Sequence, residues 1–291
     1  MAKSAFVAIA GRPSAGKSTL VNAFCGEKVS IVSPVPQTTR NTVRGIVNRP
    51  AGQLVFLDTP GYHLSEKKLN LRLRSVSDEA FSDADIVLYL VDAVREPGPE
   101  EEAVVAALLP AVQKVVAAIN KIDLPDADIA RARAFIEAKF PNTPICEVSA
   151  LKGKGIEELI TALFDRSAEG PAWYPEEYYT DQEPVFRIAE IIREKIFLHT
   201  RDEMPHAVYV SYEDSSRGAD DSLLAEYDLV VERESQKGIL IGKGGSMIKR
   251  IREEAEADLA GIFDYAIKLK LSVRVDPDCK KNDKKLDSII F

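Results

Sequence analysis

Cysteine is scarce: Cys25, Cys146 and Cys279 are the whole supply, far apart and in no paired spacing. That pattern excludes a disulfide framework and a clustered zinc site, so no disulfide-linked partner is expected. Long apolar runs are missing too. The longest near the start, 5–10, is far short of a bilayer span, and Lys3 alone before it makes a poor signal peptide. The expectation is therefore a cytoplasmic protein. Positive charge is in deficit, with 38 Lys and Arg against 46 Asp and Glu. A net charge of −8 offers no global attraction for nucleic acid or an anionic membrane, so any such partner has to be held by a local patch.

What the chain has is an alternation of β-branched runs and helical patterns from residue 6 to about 163, the mark of βαβ units and an α/β fold with a parallel sheet. The runs 6–10, 53–57, 86–91, 115–119 and 145–148 are nearly all apolar, as strands buried on both faces require. In such a sheet the ligand crevice lies at the carboxyl ends of the strands. The segments beginning at Gly11, Asp58, Asn120 and Ser149 should therefore converge. Residues 1–168 read as one domain, and 169–183, rich in proline, aromatic and acidic residues without a period, as a linker. Residues 184–291 read as a second domain. It opens with a helix over 184–198, continues with strands near 207–212 and 227–232, and closes with a helix over 246–259 and a strand near 267–275.

Each of the four segments carries a chemistry. Gly11-Arg12-Pro13-Ser14-Ala15-Gly16-Lys17-Ser18, followed by Thr19, fits the phosphate-binding loop pattern between strand and helix. Its backbone N–H groups would cradle phosphates at the positive end of the following helix, Lys17 would bridge the β- and γ-phosphates, and Ser18 would ligate Mg²⁺. Asp58-Thr59-Pro60-Gly61 supplies a carboxylate for the Mg²⁺ side and an unobstructed Gly61 N–H for the γ-phosphate. Asn120-Lys121-Ile122-Asp123 selects the base: the Asp123 carboxylate can accept from both guanine donors, a pairing adenine does not offer. Asn120 would reach N7, Lys121 would lie over the base, and Ser149-Ala150-Leu151 would present an N–H to O6. In the loop 33–40, Thr39 is the favoured metal-side threonine, with Thr38 the alternative. Lys17, Thr39 and Gly61 are thus the expected catalytic set. Tyr62 stands where Ras-like GTPases place a water-orienting glutamine, and His63 beside it is a weak substitute, so slow GTP hydrolysis is expected. A P-loop kinase or ATPase would leave Asn120 and Asp123 without a role.

In the second domain Gly242-Lys243-Gly244-Gly245 is a G-x-x-G loop between helical segments, the arrangement by which KH domains clamp single-stranded nucleotides. The residues 181–291 hold 18 basic and 23 acidic side chains, yet 236–252 contains Lys237, Lys243, Lys249, Arg250 and Arg252 and no acid. A basic patch on an acidic domain is what local phosphate binding requires. The competing reading is an adaptor whose last domain only packs against a protein or membrane partner.

Taken with Pro36-Gln37-Thr38-Thr39-Arg40, Arg193-Glu194-Lys195, Met204-Pro205-His206 and Ser235-Gln236-Lys237-Gly238, these motifs resemble the bacterial Era GTPases over nearly the whole chain. The resemblance implies an α+β type II KH domain after the GTPase domain, GTP/GDP and Mg²⁺ as cofactors, and binding of the 3′ end of small-subunit ribosomal RNA. It also implies a role in assembling the 30S ribosomal subunit and, for some members, peripheral association with the inner membrane. Two departures stand out. Ser14 replaces the usual asparagine that helps hold a monovalent cation, which sets potassium stimulation in doubt, and Glu253-Glu254-Ala255-Glu256 and Asp276-Pro277-Asp278-Cys279 replace the usual alanine-arginine pair and late tryptophan.

Overall fold

The structure is a computed structural model that describes residues 2–36, 38–62, 68–201, 204–218 and 220–277. His63, Gln37 and Cys279 lie outside the described residues, as does everything beyond Pro277. The chain divides into two compact units, Met1–Val32 with Thr39–Asp181, and Ser33–Thr38 with Gln182–Phe291.

The first unit runs β1 (Lys3–Ala10), α1 (Lys17–Cys25), β2 (Val43–Arg49), β3 (Gly52–Asp58), α2 (Lys68–Asp83), β4 (Ile86–Asp92), α3 (Pro99–Leu108), β5 (Val115–Asn120), α4 (Ile129–Lys139), β6 (Ile145–Glu147), α5 (Ile156–Arg166) and β7 (Ala168–Glu169). The sheet order is β2-β3-β1-β4-β5-β6, with β7 joined antiparallel to the start of β1. All neighbours along the main path are parallel except β2 and β3. β4 and β5 are buried at every residue, which explains their unbroken apolar sequence. Phe81, Val104, Leu108 and Ile136 of α2, α3 and α4, with Phe140 just after α4, pack with Ala8, Val87 and Tyr89 of the strands. Leu20, Phe24, Leu159 and Leu163 of α1 and α5 are buried as well, and Phe24 stacks on Phe56 of β3 at 4.2 Å.

Strand β2 was not expected from the sequence. It pairs from Val43↔Asp58 to Arg49↔Gly52, so it carries the residues after the 33–40 loop back along β3. The stretch 169–183, expected as a linker, lies against this edge as far as Asp181. Gln53 donates to the Tyr174 carbonyl and accepts from the N–H groups of Trp173 and Tyr174, all at 2.8–3.0 Å. The Ile46 N–H donates to the Tyr179 carbonyl, Thr180 to the Arg44 carbonyl, and Arg44 pairs with Asp181 at 2.8 Å.

The second unit contains α6 (Pro184–His199), α7 (Met204–Ala207), β8 (Tyr209–Arg217), β9 (Leu223–Val231), α8 (Glu234–Ile241), a 3-10 turn (Lys243–Gly245), α9 (Ser246–Leu259) and β10 (Ile267–Val275). Its sheet is β10-β9-β8, with β9 parallel to β10 and antiparallel to β8. Ile251, Ala255 and Leu259 recur every fourth residue on α9 and are fully buried, as are Ile191, Ile192 and Ile196 of α6 nearly so. Burying each large aliphatic chain contributes roughly 1.5–3 kcal/mol, which anchors both helices on the sheet.

Candidate functional site

In the first unit the phosphate-binding loop links the end of β1 to α1. Gly16 has φ 99°, in the left-handed region, and a Cβ there would stand 2.4 Å from Asn120 Nδ2. Only glycine lets the base motif close on the loop this tightly. Asn120 is buried; its Nδ2 donates to the Ala15 carbonyl at 2.9 Å and its Oδ1 accepts from Ala150 N–H at 3.0 Å. One side chain thus ties the loop, the end of β5 and the Ser149-Ala150 segment together. Lys121, at φ 67°, donates from Nζ to the Ser14 carbonyl and to Asp92 Oδ2, both at 2.8 Å. Asp123 is fully exposed, and a hydrogen bond from Ser149 holds its carboxyl below the usual range. Leu151 is exposed beside it.

Lys17 folds over the loop and donates to the carbonyls of Gly11 at 3.0 Å and Arg12 at 3.2 Å. Burial presses its pKa down to about 8, against the pull of Asp58 and Glu101. Asp58, at the end of β3, is entirely buried, and burial raises its carboxyl while Ser18 and Lys17 oppose the shift. Neither of its carboxylate oxygens is in a well-aligned hydrogen bond. A buried anion so poorly satisfied is costly unless a cation joins it. Ser18 Oγ lies 2.9 Å from Thr39 Oγ1. Two hydroxyls and an orphaned carboxylate form an all-oxygen donor set, which fits Mg²⁺.

The second unit separates Thr38 from Thr39. Thr38 Oγ1 donates to the Val35 carbonyl and contacts Ser33 Oγ, both at 2.7 Å, and its carbonyl accepts from Arg193 Nη1 at 2.6 Å. Its hydroxyl is already engaged there, whereas that of Thr39 meets Ser18. Thr59 donates to the Ile9 carbonyl at 2.8 Å, and Pro60 accepts from Ser77 of α2 at 3.1 Å. Gly61 stands against Pro13. Tyr62 is buried with the Arg74 guanidinium over its ring at 5.3 Å, and it borders a groove of about 690 Å³ lined also by Asp78 and Phe81.

In the second unit, Gly242, Gly244 and Gly245 all have left-handed φ, between 61° and 81°. A Cβ on Gly242 would strike Met247 at 2.8 Å, while the positions of Gly244 and Gly245 face open space. Lys243 is exposed, and neither it nor Lys237 has an acidic partner among the described residues. The helix α9 qualifies the patch read from the sequence: Lys249 lies 3.8 Å from Glu253, Arg250 2.9 Å from Glu254 and Arg252 3.7 Å from Glu253. Glu253 and Glu254 follow the basic run in sequence but stand one turn from Lys249 and Arg250 on the same face. A groove of about 410 Å³ runs beside them, lined by Ile248, Lys249, Arg252, Leu269, Lys270 and Leu271. The strand expected near 267–275 forms this groove's other wall, a part the sequence reading did not give it, although the alternation of lysine and leucine from 268 to 271 marks one charged and one apolar face.

A phosphate loop joined to base-selecting and carboxylate motifs on one parallel sheet, followed by a glycine-loop α+β unit, defines a P-loop GTPase carrying a KH module. A family described as 50S ribosome-binding GTPase matches residues 6–121, and one described as KH domain matches 203–278. GTPase Era of Treponema denticola is 48% identical over 292 residues, 99% of each chain, and that of Borreliella burgdorferi 41% over 289 residues, again 99% of each. The chain belongs to the Era family of GTPases. Two solved Era structures are 33% identical to it. One, a point variant from Aquifex aeolicus bound to GDP·AlF4⁻, has a TM-score of 0.93 over 99% of this chain and 98% of that one. The other, in complex with MgGDPNP and nucleotides 1506–1542 of 16S ribosomal RNA, has a TM-score of 0.94 over 99% of both.

Proposed function

We propose that this chain is a GTP-hydrolysing switch that binds the 3′ end of small-subunit ribosomal RNA through its KH unit and assists assembly of the 30S subunit. The observation that carries the reading is the joining of three motifs by Asn120, which builds a guanine-nucleotide site from Ala15, Lys121 and Ala150, in a chain that also presents an open G-x-x-G loop. Its likeness over 99% of its length to an Era structure holding both MgGDPNP and 16S ribosomal RNA nucleotides supports the pairing of the two ligands.

The residues divide the work. Asp123 accepts from the guanine donors, and the Lys121 stem covers the base. Backbone N–H groups of the loop, those of Ser14, Ala15, Gly16, Lys17, Ser18 and Thr19, surround the phosphates; Pro13 has none to give. Arg12 contributes backbone only, because its guanidinium turns inward. Lys17 exchanges two carbonyl contacts for the β- and γ-phosphates, whose negative charge offsets the desolvation its ammonium bears in the free protein. Ser18, Thr39 and Asp58 hold Mg²⁺, which when bound neutralises developing phosphate charge. The Gly61 N–H meets the γ-phosphate. Tyr62 is packed into the wall, so it does not replace a water-orienting glutamine, and intrinsic turnover is slow. Ser14 lacks the amide that would hold a potassium ion, and the rate responds little to exchanging sodium for potassium.

Phosphates of single-stranded RNA lie along Lys237, Lys243, Lys249 and Arg250 with the backbone at Gly242, Gly244 and Gly245, and bases enter the groove floored by Leu269 and Leu271. The protein works in the cytoplasm; peripheral contact with the inner membrane follows from the resemblance alone, and no helix of the described residues is long and apolar enough to cross a membrane. The decisive experiment is sequencing of RNA that copurifies with the GTP-loaded protein. Enrichment of the small-subunit ribosomal RNA 3′ end is expected, and its absence would favour the adaptor reading.

A further inference from the structure

The inner face of a phosphate loop is explained by its ligand; its outer face needs an explanation of its own. Here the carbonyls of Ser14 and Ala15 are held by Lys121 and Asn120, but the root of the loop is held by Arg12, whose side chain is almost wholly buried. Its Nη1 and Nη2 donate to the carbonyls of Glu96 at 2.9 Å and Arg95 at 3.0 Å. Its Nε stands 3.2 Å from Glu101 Oε2, an ion pair in contact though not aligned as a hydrogen bond. Glu101, in the first turn of α3, is fully buried, and its other oxygen accepts from the Tyr89 hydroxyl at 2.7 Å. Asp92 completes the cluster, 3.9 Å from Arg12 and 2.8 Å from Lys121.

A buried ion pair is a poor way to gain stability, since apolar residues of the same volume often do as well or better. What it supplies is position. An arginine fork gripped by two carbonyls and a carboxylate fixes one backbone geometry at the start of the loop. The side chains of Arg12, Glu101 and Tyr89 have no part in the nucleotide contacts proposed above, and Lys121 is the cluster's link to them.

We propose that Glu101 and Tyr89 are positioning residues of the GTP site, acting through Arg12 to hold the phosphate loop open in its binding shape before nucleotide arrives. The inference rests on the guanine-nucleotide reading of the site. Loss of preorganisation raises the cost of binding any nucleotide, so GTP and GDP suffer alike, while turnover of bound GTP is spared.

The test is a set of variants assayed for GTP and GDP affinity by titration calorimetry and for hydrolysis at saturating GTP. Glu101→Gln is expected to weaken both nucleotides in parallel, about tenfold or more, with kcat within about twofold of wild type. Tyr89→Phe removes one hydroxyl without changing shape; it should weaken both about two- to fivefold and keeps the test informative if Glu101→Gln does not fold. In an Arg12→Met background, Tyr89→Phe should cost nothing further, because the route through Arg12 is already cut. Unchanged affinities in Tyr89→Phe, additive losses in the double variant, or a fall in kcat with affinity intact would each overturn the proposal. Failure of the underlying reading is distinguishable, because wild-type protein would then not bind GTP at all.

Discussion

Replacing Lys17, the lysine we propose to bridge the nucleotide's phosphates, should make the nucleotide-free protein more stable. Lys17 is buried, and its pKa is pushed from 10.5 to about 8, chiefly by desolvation. At about 1.4 kcal/mol per pH unit, carrying that charge at neutral pH costs the folded state about 3 kcal/mol. Lys17→Met removes the charge and keeps the length. Against this, the carbonyls of Gly11 and Arg12 lose their donor, at about 1 kcal/mol each or less. A net gain of about 1–2 kcal/mol remains, worth about 2–8 °C in melting temperature for a unit of this size. The sign also shows in the pH dependence. Below pH 8 the lysine is protonated in both states and the penalty is in full force. Between about pH 8 and 10.5 the unfolded chain holds the proton that the folded chain has released, so wild-type stability climbs relative to the variant; above that window the charge penalty is gone. The assay is thermal melting of nucleotide-free protein followed by Trp173, the single tryptophan, which packs on Phe6 at 4.6 Å in the first unit. A melting temperature at pH 7 equal to or below wild type, or a variant-minus-wild-type difference that stays flat from pH 8 to 10, would refute the burial argument. Binding of GTP by the variant should be lost in the same samples.

Asp123→Asn should lower GTP affinity roughly tenfold or more and shift preference toward xanthine nucleotide, because the amide donates where guanine's amine is replaced by a carbonyl; calorimetry with GTP and XTP checks it. Gln53→Leu removes the two hydrogen bonds accepted from Trp173 and Tyr174 and the two donated to Asn48 and Tyr174, leaving backbone groups of the 169–181 strap unpaired; the expected results are a red-shifted Trp173 emission and protease cleavage near that residue at a rate above wild type. Lys243→Asp should weaken binding to a single-stranded ribosomal RNA 3′-end oligonucleotide, with the slope of log affinity against log salt reduced by about 0.7, and leave GTP affinity unchanged; anisotropy at several salt concentrations reads both. Glu254→Gln should strengthen the same RNA complex about two- to fivefold by releasing Arg250, and an unchanged or weaker complex would mean Arg250 stays out of the interface.

The five apolar strands and the places of the nucleotide motifs at their ends were legible because both depend on local pattern. A fully buried parallel strand has to be apolar at each position, and the residue after its last apolar position faces the crevice whatever the rest of the chain does. The buried stripe of α9 was readable for the same reason, from Ile251, Ala255 and Leu259 at helical spacing. Strand β2 was not, because an edge strand that begins at Val43 and contains Gly45 and Asn48 has neither alternation nor an apolar run. The segment 169–183 has a linker's composition, yet its backbone finds partners on Ile46, Asn48 and Gln53, and such pairing between distant residues leaves no trace in composition.

Side-chain direction was the other illegible quantity, and it governs what the charges do. Read along the chain, Arg12 is one of eight phosphate-loop residues; in the structure its guanidinium is buried against Glu101 and the carbonyls of Arg95 and Glu96. Arg250 is read as a phosphate contact, but helical geometry brings Glu254 within 2.9 Å of it. The two threonines of the 33–40 loop make the same point most sharply. Sequence favoured Thr39 as the metal-side residue but kept Thr38 as the alternative, since their chemistry is identical and they are adjacent. The boundary between the compact units falls at the peptide bond joining them. Thr38 spends its hydroxyl on Val35 and Ser33 and its carbonyl on Arg193, itself clasped by Glu190 of the same helix, while Thr39 meets Ser18. What distinguishes them is therefore the set of partners already satisfied, and the Mg²⁺ role we propose falls to Thr39, whose hydroxyl meets Ser18 while that of Thr38 is spent on Val35 and Ser33.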